Sequence, residues 1–126
     1  IKAALTRTHT DPNDPERLLA ALGGPEFAVL AGVCLGAAEA GSPVVLDGLA
    51  TSVAALIATK FSPGLHGWLV ASQASREQVH HIVLAELGLE ALMELRMRAG
   101  EGVGACFGAQ MILTGLQVRR TAARTC

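Results

Sequence analysis

The sequence predicts an α/β fold: a Rossmann-like fragment of parallel sheet flanked by helices, forming part of a larger three-layer domain. Apolar residues at helical spacing recur in blocks separated by glycine and proline. Between those blocks fall two short continuous apolar runs, Pro43-Val44-Val45-Leu46-Asp47-Gly48 and Trp68-Leu69-Val70-Ala71, as buried parallel strands do. The composition, 51% hydrophobic but only 3% aromatic, requires a core of Ala, Leu and Val in closely approaching layers. Strands that alternate with helices pair in parallel through right-handed crossovers. Two strands are too few for a parallel sheet, which is covered on both faces. The 126 residues therefore read as a single incomplete α/β domain, with 103–126 as its terminal helix and tail.

Residues 1–10 give no firm assignment. Asp11-Pro12-Asn13-Asp14-Pro15 is a helix start, with Asp14 as cap and Pro15 at the first helical position, where its fixed φ suits the helix. That helix covers 15–22 and stops at Gly23-Gly24. Pro25 opens the next, 26–40, ended by Gly41 in the left-handed conformation. Its small residues, including Ala28, Ala31, Gly32 and Gly36, let it lie close to a neighbour. After the first strand, helical spacing returns over 49–60, and Ser62-Pro63-Gly64 breaks it. The second strand leads into polar Ser72-Gln73-Ala74-Ser75 and a helix over 76–87, with Val79, Ile82, Val83 and Leu87 on one face and Gly88 at its end. Residues 89–97 fit a short helix or a strand equally well; a last helix runs over 103–119, and 120–126 form a frayed tail.

With 10 basic and 11 acidic side chains, nothing in the charge balance favours nucleic acid or an anionic membrane as partner. No uninterrupted apolar run reaches the roughly eighteen residues of a membrane span, and no signal peptide is visible. The three cysteines share no metal-like spacing; Cys34 and Cys106 lie in apolar runs and read as small buried hydrophobes, which fits a reducing, cytoplasmic setting. His80 and His81 are adjacent and so diverge on a helix, whereas a metal pair prefers four-residue spacing; His9 and His66 are isolated. No metal or cofactor is expected. The chain begins at Ile1, in helix-like sequence, which suggests a fragment.

Ligands of open α/β sheets sit beyond the carboxyl ends of the strands. Asp47-Gly48 and the 72–75 loop fall there. Asp47 suits a ligand hydroxyl or the turn itself. Ser75 suits the N-cap of the following helix or a phosphate at the same place. The third candidate is Arg98-Ala99-Gly100-Glu101-Gly102-Val103-Gly104-Ala105, where a lone carboxylate sits between glycines ahead of an apolar helix. Glycines permit positive φ and close approach to a ligand, and the helix start presents free N–H groups. A carboxylate desolvated in such a turn has the pKa of a base; as a plain connector, the same glutamate favours the helix dipole.

Taken together, five blocks in register resemble the nicotinate-nucleotide–dimethylbenzimidazole phosphoribosyltransferases of cobalamin lower-ligand synthesis. The blocks are Leu22-Gly23-Gly24-Pro25-Glu26-Phe27-Ala28 leading into Leu30-Ala31-Gly32, then Pro43 to Gly48 followed by Ala54-Ala55-Leu56. Ser72-Gln73-Ala74-Ser75 with His80 comes next, and the turn from Arg98 to Ala105 closes the series. The match covers roughly 11–116 and corresponds to the family's C-terminal part. It implies a base exchange between two small molecules, nicotinate mononucleotide and a benzimidazole-type base. Glu101, by position, is the buried glutamate that takes the azole proton; the freed nitrogen attacks the anomeric carbon and nicotinate leaves. Ser75 is implied to help hold the nucleotide phosphate, and Asp47 and Gly48 to lie near the nucleotide. Ala99, Gly100, Gly102 and Gly104 are implied to shape the binding turn.

The sequence departs from the family at Ala99, where leucine is usual, so one wall of the base pocket is reduced. Gln73 and Val79 replace a usual histidine and glycine. The family's upstream half, with its glycine-rich phosphate loop and much of the benzimidazole pocket, has no counterpart in these residues. A truncated, non-catalytic module binding a nucleotide or a partner is thus the alternative, and a generic nucleotide-binding α/β protein acting on another base a third reading. The incomplete sheet and apolar helices leave surface for a homodimer or a missing N-terminal half.

Overall fold

The computed structural model describes residues 2–8, 11, 13–97 and 101–122. Ala99 and Gly100, and the tail end 123–126, lie outside the described residues. A first helix, α1 (Lys2–Thr8), occupies a segment whose mixed composition gave no assignment. Helix α2 (Pro15–Leu18) starts as predicted: the Asp14 carboxylate accepts the Arg17 N–H at 3.0 Å and Pro15 opens the first turn. The chain continues as a π-helical turn over Leu19–Gly23 and reverses at Gly24, whose φ of 108° only glycine takes easily. Helix α3 (Pro25–Glu39) follows, and Gly41 ends it at φ 69°.

Strands β1 (Val44–Leu46) and β2 (Leu69–Ala71) pair in parallel, Val44 opposite Leu69 and Leu46 opposite Ala71. Helix α4 (Leu49–Phe61) and a 3₁₀ turn (Pro63–Trp68) connect them, so Trp68 closes the turn rather than opening the strand. Strand side chains alternate between faces. Leu46 and Leu69 join Ala31 and Cys34 of α3, Ala55 and Ala58 of α4, and buried Leu65 in one core, with Val44 packed against it. Val83 and Leu87 complete that core from helix α5 (Gln78–Glu86) and its C-cap. On the other face, Val45 meets helix α6 (Val103–Thr121) at Gly108. The sheet is thus covered on both faces, as its continuous apolar strands predicted.

Residues 89–97, open between helix and strand, adopt neither as a full element. The Ala74 N–H donates to the Met93 carbonyl at 2.9 Å and the Leu92 N–H to the Ala71 carbonyl at 3.0 Å, so the segment runs parallel along the free edge of β2. The 72–75 loop, polar in sequence, is mostly interior: Ser72, Gln73 and Ala74 are all buried. Helix α5 begins at Gln78, two residues later than expected, with Glu77 rather than Ser75 at its N-cap.

Cys34 is buried, and desolvation pushes its thiol above the ordinary value. Cys106, expected to be buried, is exposed because α6 reaches the sheet through its glycines, Gly104 and Gly108. At 19 residues α6 is about 28 Å long, and beyond Gly108 its Met111, Leu113, Leu116 and Val118 are exposed. No described helix is long and apolar enough to cross a membrane.

Candidate active site

The carboxyl ends of β1 and β2 open into a cleft of about 1220 Å³. Asp47, Gly48, Ser75, Glu101 and Gly102 line it, so three segments singled out separately in the sequence come together here. Gly104 does not line it. The Ala99 and Gly100 assignments fall outside the described residues.

Each segment is held by identifiable bonds. The Asp47-Gly48 turn is tied to the first turn of α4 by Thr51, whose hydroxyl oxygen accepts both backbone N–H groups at 3.0 Å and donates to the Gly48 carbonyl at 2.9 Å. Gly48 itself has an extended backbone, φ −161°, and a Cβ there would meet nothing within 4 Å. Its glycine therefore leaves the cleft floor open rather than relieving strain. Asp47 Oδ1 accepts the Ala105 N–H at 2.9 Å. Ala105 is in the first turn of α6, whose N-cap residue, Gly102, has no side chain to offer; Asp47 supplies that cap from 58 positions away. Of the two readings of Asp47, turn residue or ligand partner, the first is extended: one of its oxygens fastens α6 to the end of β1.

Gly104 is a packing glycine, not a ligand contact. A Cβ there would lie 2.7 Å from Gln73 Cγ and 2.9 Å from Asp47 Oδ1. The glycine lets α6 approach near enough for the Asp47 bond. Gly102 at φ 85° and Glu101 at φ 63° form two successive left-handed residues ahead of α6. For Gly102 this is easy; for Glu101 it stores of order 1 kcal/mol, the kind of local strain that clusters at functional sites. Glu101 is exposed within the described residues, not buried as expected. Glu101 lines the cleft from the turn ahead of α6, and the described residues do not supply the dry surroundings.

Ser75 does not cap α5. Its hydroxyl accepts the Glu77 N–H at 3.3 Å, and its own N–H donates to His80 Nδ1 at 2.9 Å. His80 is buried, and its Nε2 lies 3.0 Å from the hydroxyl of Ser52, itself fully buried on α4. An amide N–H can only donate, so Nδ1 is the acceptor and the ring proton sits on Nε2, donating to Ser52. Burial, and secondarily the neighbouring His81, hold the ring pKa below its ordinary value. His80 and His81 diverge as predicted, and no cluster of three or more His, Cys, Asp or Glu side chains among the described residues is placed to hold a metal.

Sequence reasoning missed several cleft residues. Arg76, the one cation among the described lining residues, stands next to Ser75 in a cleft also lined by the carboxylates Asp47, Glu77 and Glu101. Thr51 was legible as the third residue of a helix start, a place where side chains reach back to the cap. Gln73 is 3% exposed, and its Oε1 is buried with no hydrogen-bond partner among the described residues. No local sequence signal announces that.

Residues 1–125 match the family model described as phosphoribosyltransferase, DBI_PRT. The chain belongs to this family. It is 41% identical over 119 residues to the nicotinate-nucleotide–dimethylbenzimidazole phosphoribosyltransferase of Desulforudis audaxviator, covering 94% of this chain and 34% of that protein. The protein of the same name from Salinispora tropica is 43% identical over 118 residues, covering 94% and 32%. The crystal structure of CobT from Thermus thermophilus superposes with a TM-score of 0.89 at 36% identity, covering 97% of this chain and 36% of that one. The α/β architecture and the family resemblance read from the sequence both hold. The chain spans about a third of the length of the curated relatives it matches.

Proposed function

We propose that this chain supplies the base-bearing part of a nicotinate-nucleotide–dimethylbenzimidazole phosphoribosyltransferase, with Glu101 as general base. One observation carries this: in a family member, the lone carboxylate of the Gly-Glu-Gly turn is held in a strained left-handed conformation at a cleft beyond the strand ends. Glu101 takes the N–H proton of 5,6-dimethylbenzimidazole, and the lone pair of the attacking ring nitrogen forms a bond to C1′ of nicotinate mononucleotide. The bond from C1′ to the pyridinium nitrogen breaks, and its electron pair leaves with nicotinate. Proton, electron pair and ribose phosphate are all accounted for, and no cofactor is needed. Ser75 and Arg76 suit the phosphate end, and the surplus of carboxylates suits the cationic pyridinium. Gly48 and Gly102 keep the cleft open for the nucleotide. Ala99 and Gly100 are substrate-binding residues in this reading. In this reading, bound substrates exclude water from the carboxylate. The setting is cytoplasmic, and a homodimer or a further segment covers the exposed apolar side of α6.

Glu101→Gln in the intact protein carrying this chain is the test. Turnover should fall at least about a hundredfold with nucleotide binding nearly unchanged, the range for loss of a general base; near-full turnover would refute the assignment. The exposure of Glu101 favours a second reading, a non-catalytic binding module. Measurable base exchange by the 126-residue chain alone would remove it.

A further inference from the structure

We infer that His80 is the positioning residue of the phosphate end of this cleft, holding Ser75 through its backbone N–H. The inference rests on the proposed nucleotide site but concerns a group outside the cleft's lining. His80 is 1% exposed and does not line the cleft. Its ring joins three elements: α5, which carries it, Ser52 on α4 at 3.0 Å, and the loop at Ser75 at 2.9 Å. Both ring nitrogens are committed, one as acceptor and one as donor, so the imidazole has a single productive tautomer and orientation. Ser75 follows buried Ala74 and precedes exposed Arg76, and its hydroxyl already braces the Glu77 N–H. With its N–H turned inward to His80, the residue presents its hydroxyl edge to the cleft beside Arg76. Without that bond, the N–H would be a poorly satisfied donor and the loop would turn to find water. The adjacent backbone bond, from Ala74 N–H to the Met93 carbonyl, fixes the loop one residue earlier, so His80 controls the last step before the anion site.

The two ring nitrogens can be replaced one at a time. In His80→Asn the side-chain oxygen stands near the place of Nδ1 and can still accept from Ser75, whereas in His80→Gln the amide reaches toward Ser52 and leaves Ser75 unpaired. Each variant loses one buried hydrogen bond, so a purely structural role predicts similar effects on ligand binding. The positioning role predicts that His80→Gln weakens nicotinate mononucleotide binding by about tenfold, the scale of one unsatisfied donor, while His80→Asn stays within about threefold. Nicotinate riboside, which lacks the phosphate, should bind both variants alike. The measurement is titration calorimetry on the intact protein carrying this chain, with thermal melts confirming that each variant is folded. If one variant fails to fold, Ser52→Ala serves instead: it removes only the far bond, and should leave the mononucleotide affinity within about threefold. Equal losses in the two variants, or a loss shared by the riboside, would overturn the inference. A failed transferase reading shows separately, as undiminished turnover in Glu101→Gln, and leaves a split between the His80 variants standing.

Discussion

Replacing Gly108 by alanine tests the docking of α6, and the structure allows its cost to be worked out. A Cβ at this position would lie 2.6 Å from Ser72 Cβ, 3.2 Å from Ser72 Cα and 3.3 Å from Val45 Cγ1. Comfortable carbon contacts begin near about 3.5 Å, so relief requires α6 to retreat from the sheet end by about 1 Å. Ser72 cannot give way instead: its N–H bonds the Leu46 carbonyl at 3.0 Å, its hydroxyl bonds the same carbonyl, and the residue is fully buried. Overpacking against such fixed atoms belongs near the upper end of the usual range, about 3 kcal/mol. Alanine's helix propensity returns about 1 kcal/mol. The net expectation is a loss of about 2 kcal/mol. Gly115 supplies the internal control, because a Cβ there meets nothing within 4 Å, and Gly115→Ala should gain up to about 1 kcal/mol from propensity alone. Urea unfolding followed by circular dichroism reads both. Parent-like or higher stability in Gly108→Ala would mean that α6 does not seat through this glycine.

Asp47 gives a second test of the same helix. Asp47→Ala removes the acceptor for the Ala105 N–H and should cost about 1 kcal/mol, while Asp47→Asn keeps an amide oxygen in place and should recover more than half, as seen by the same unfolding assay. A third concerns pH. His80 has a folded pKa below its unfolded value of about 6.5, so on acidification the unfolded chain binds a proton before the native state does. Its contribution is complete above that unfolded value and is lost as pH falls below it toward the depressed folded value. Unfolding measured between about pH 7.5 and about pH 5 should therefore show a decline that is smaller in His80→Asn; identical slopes would refute the assignment.

The layout of the fold was legible because its signals are local. The Asp14-Pro15 start, the turns at Gly41 and Gly88, and the two apolar strands each depend on a few adjacent residues, and each stands where its chemistry predicts. Residues 89–97 were not legible because their structure depends on the free edge of β2 and the loop after it, where the Leu92 N–H donates to the Ala71 carbonyl and the Met93 carbonyl accepts the Ala74 N–H. The same limit applied at the cleft. Asp47, Gly48, Ser75, Glu101 and Gly102 were singled out as chemical types in separate loops, and all five line one cleft. Their division of labour depends on contacts across the fold: Gly104 packs against Gln73 and Asp47, and Ser75 leans on His80. Glycine patterns announce close approach without saying what approaches.

That distinction changes how the Gly-Glu-Gly turn is understood. Among the described residues, no side-chain bond of Glu101 explains its left-handed backbone; the described segments on either side do. Upstream, residues 92–93 are fixed along β2, and downstream Ala105 is fixed to Asp47, with Gly104 and Gly108 seating the helix. Glu101 sits between these two anchors, and the following residue, Gly102, absorbs the second positive φ that the reversal into α6 demands. Strain at one residue persists when its surroundings over-determine it. Loosening either anchor would let Glu101 relax out of the left-handed region and away from the cleft. Gly108→Ala should accordingly lower turnover in the intact protein by more than its stability loss alone explains, while Gly115→Ala, on the same helix but past the last sheet contact, should leave turnover unchanged.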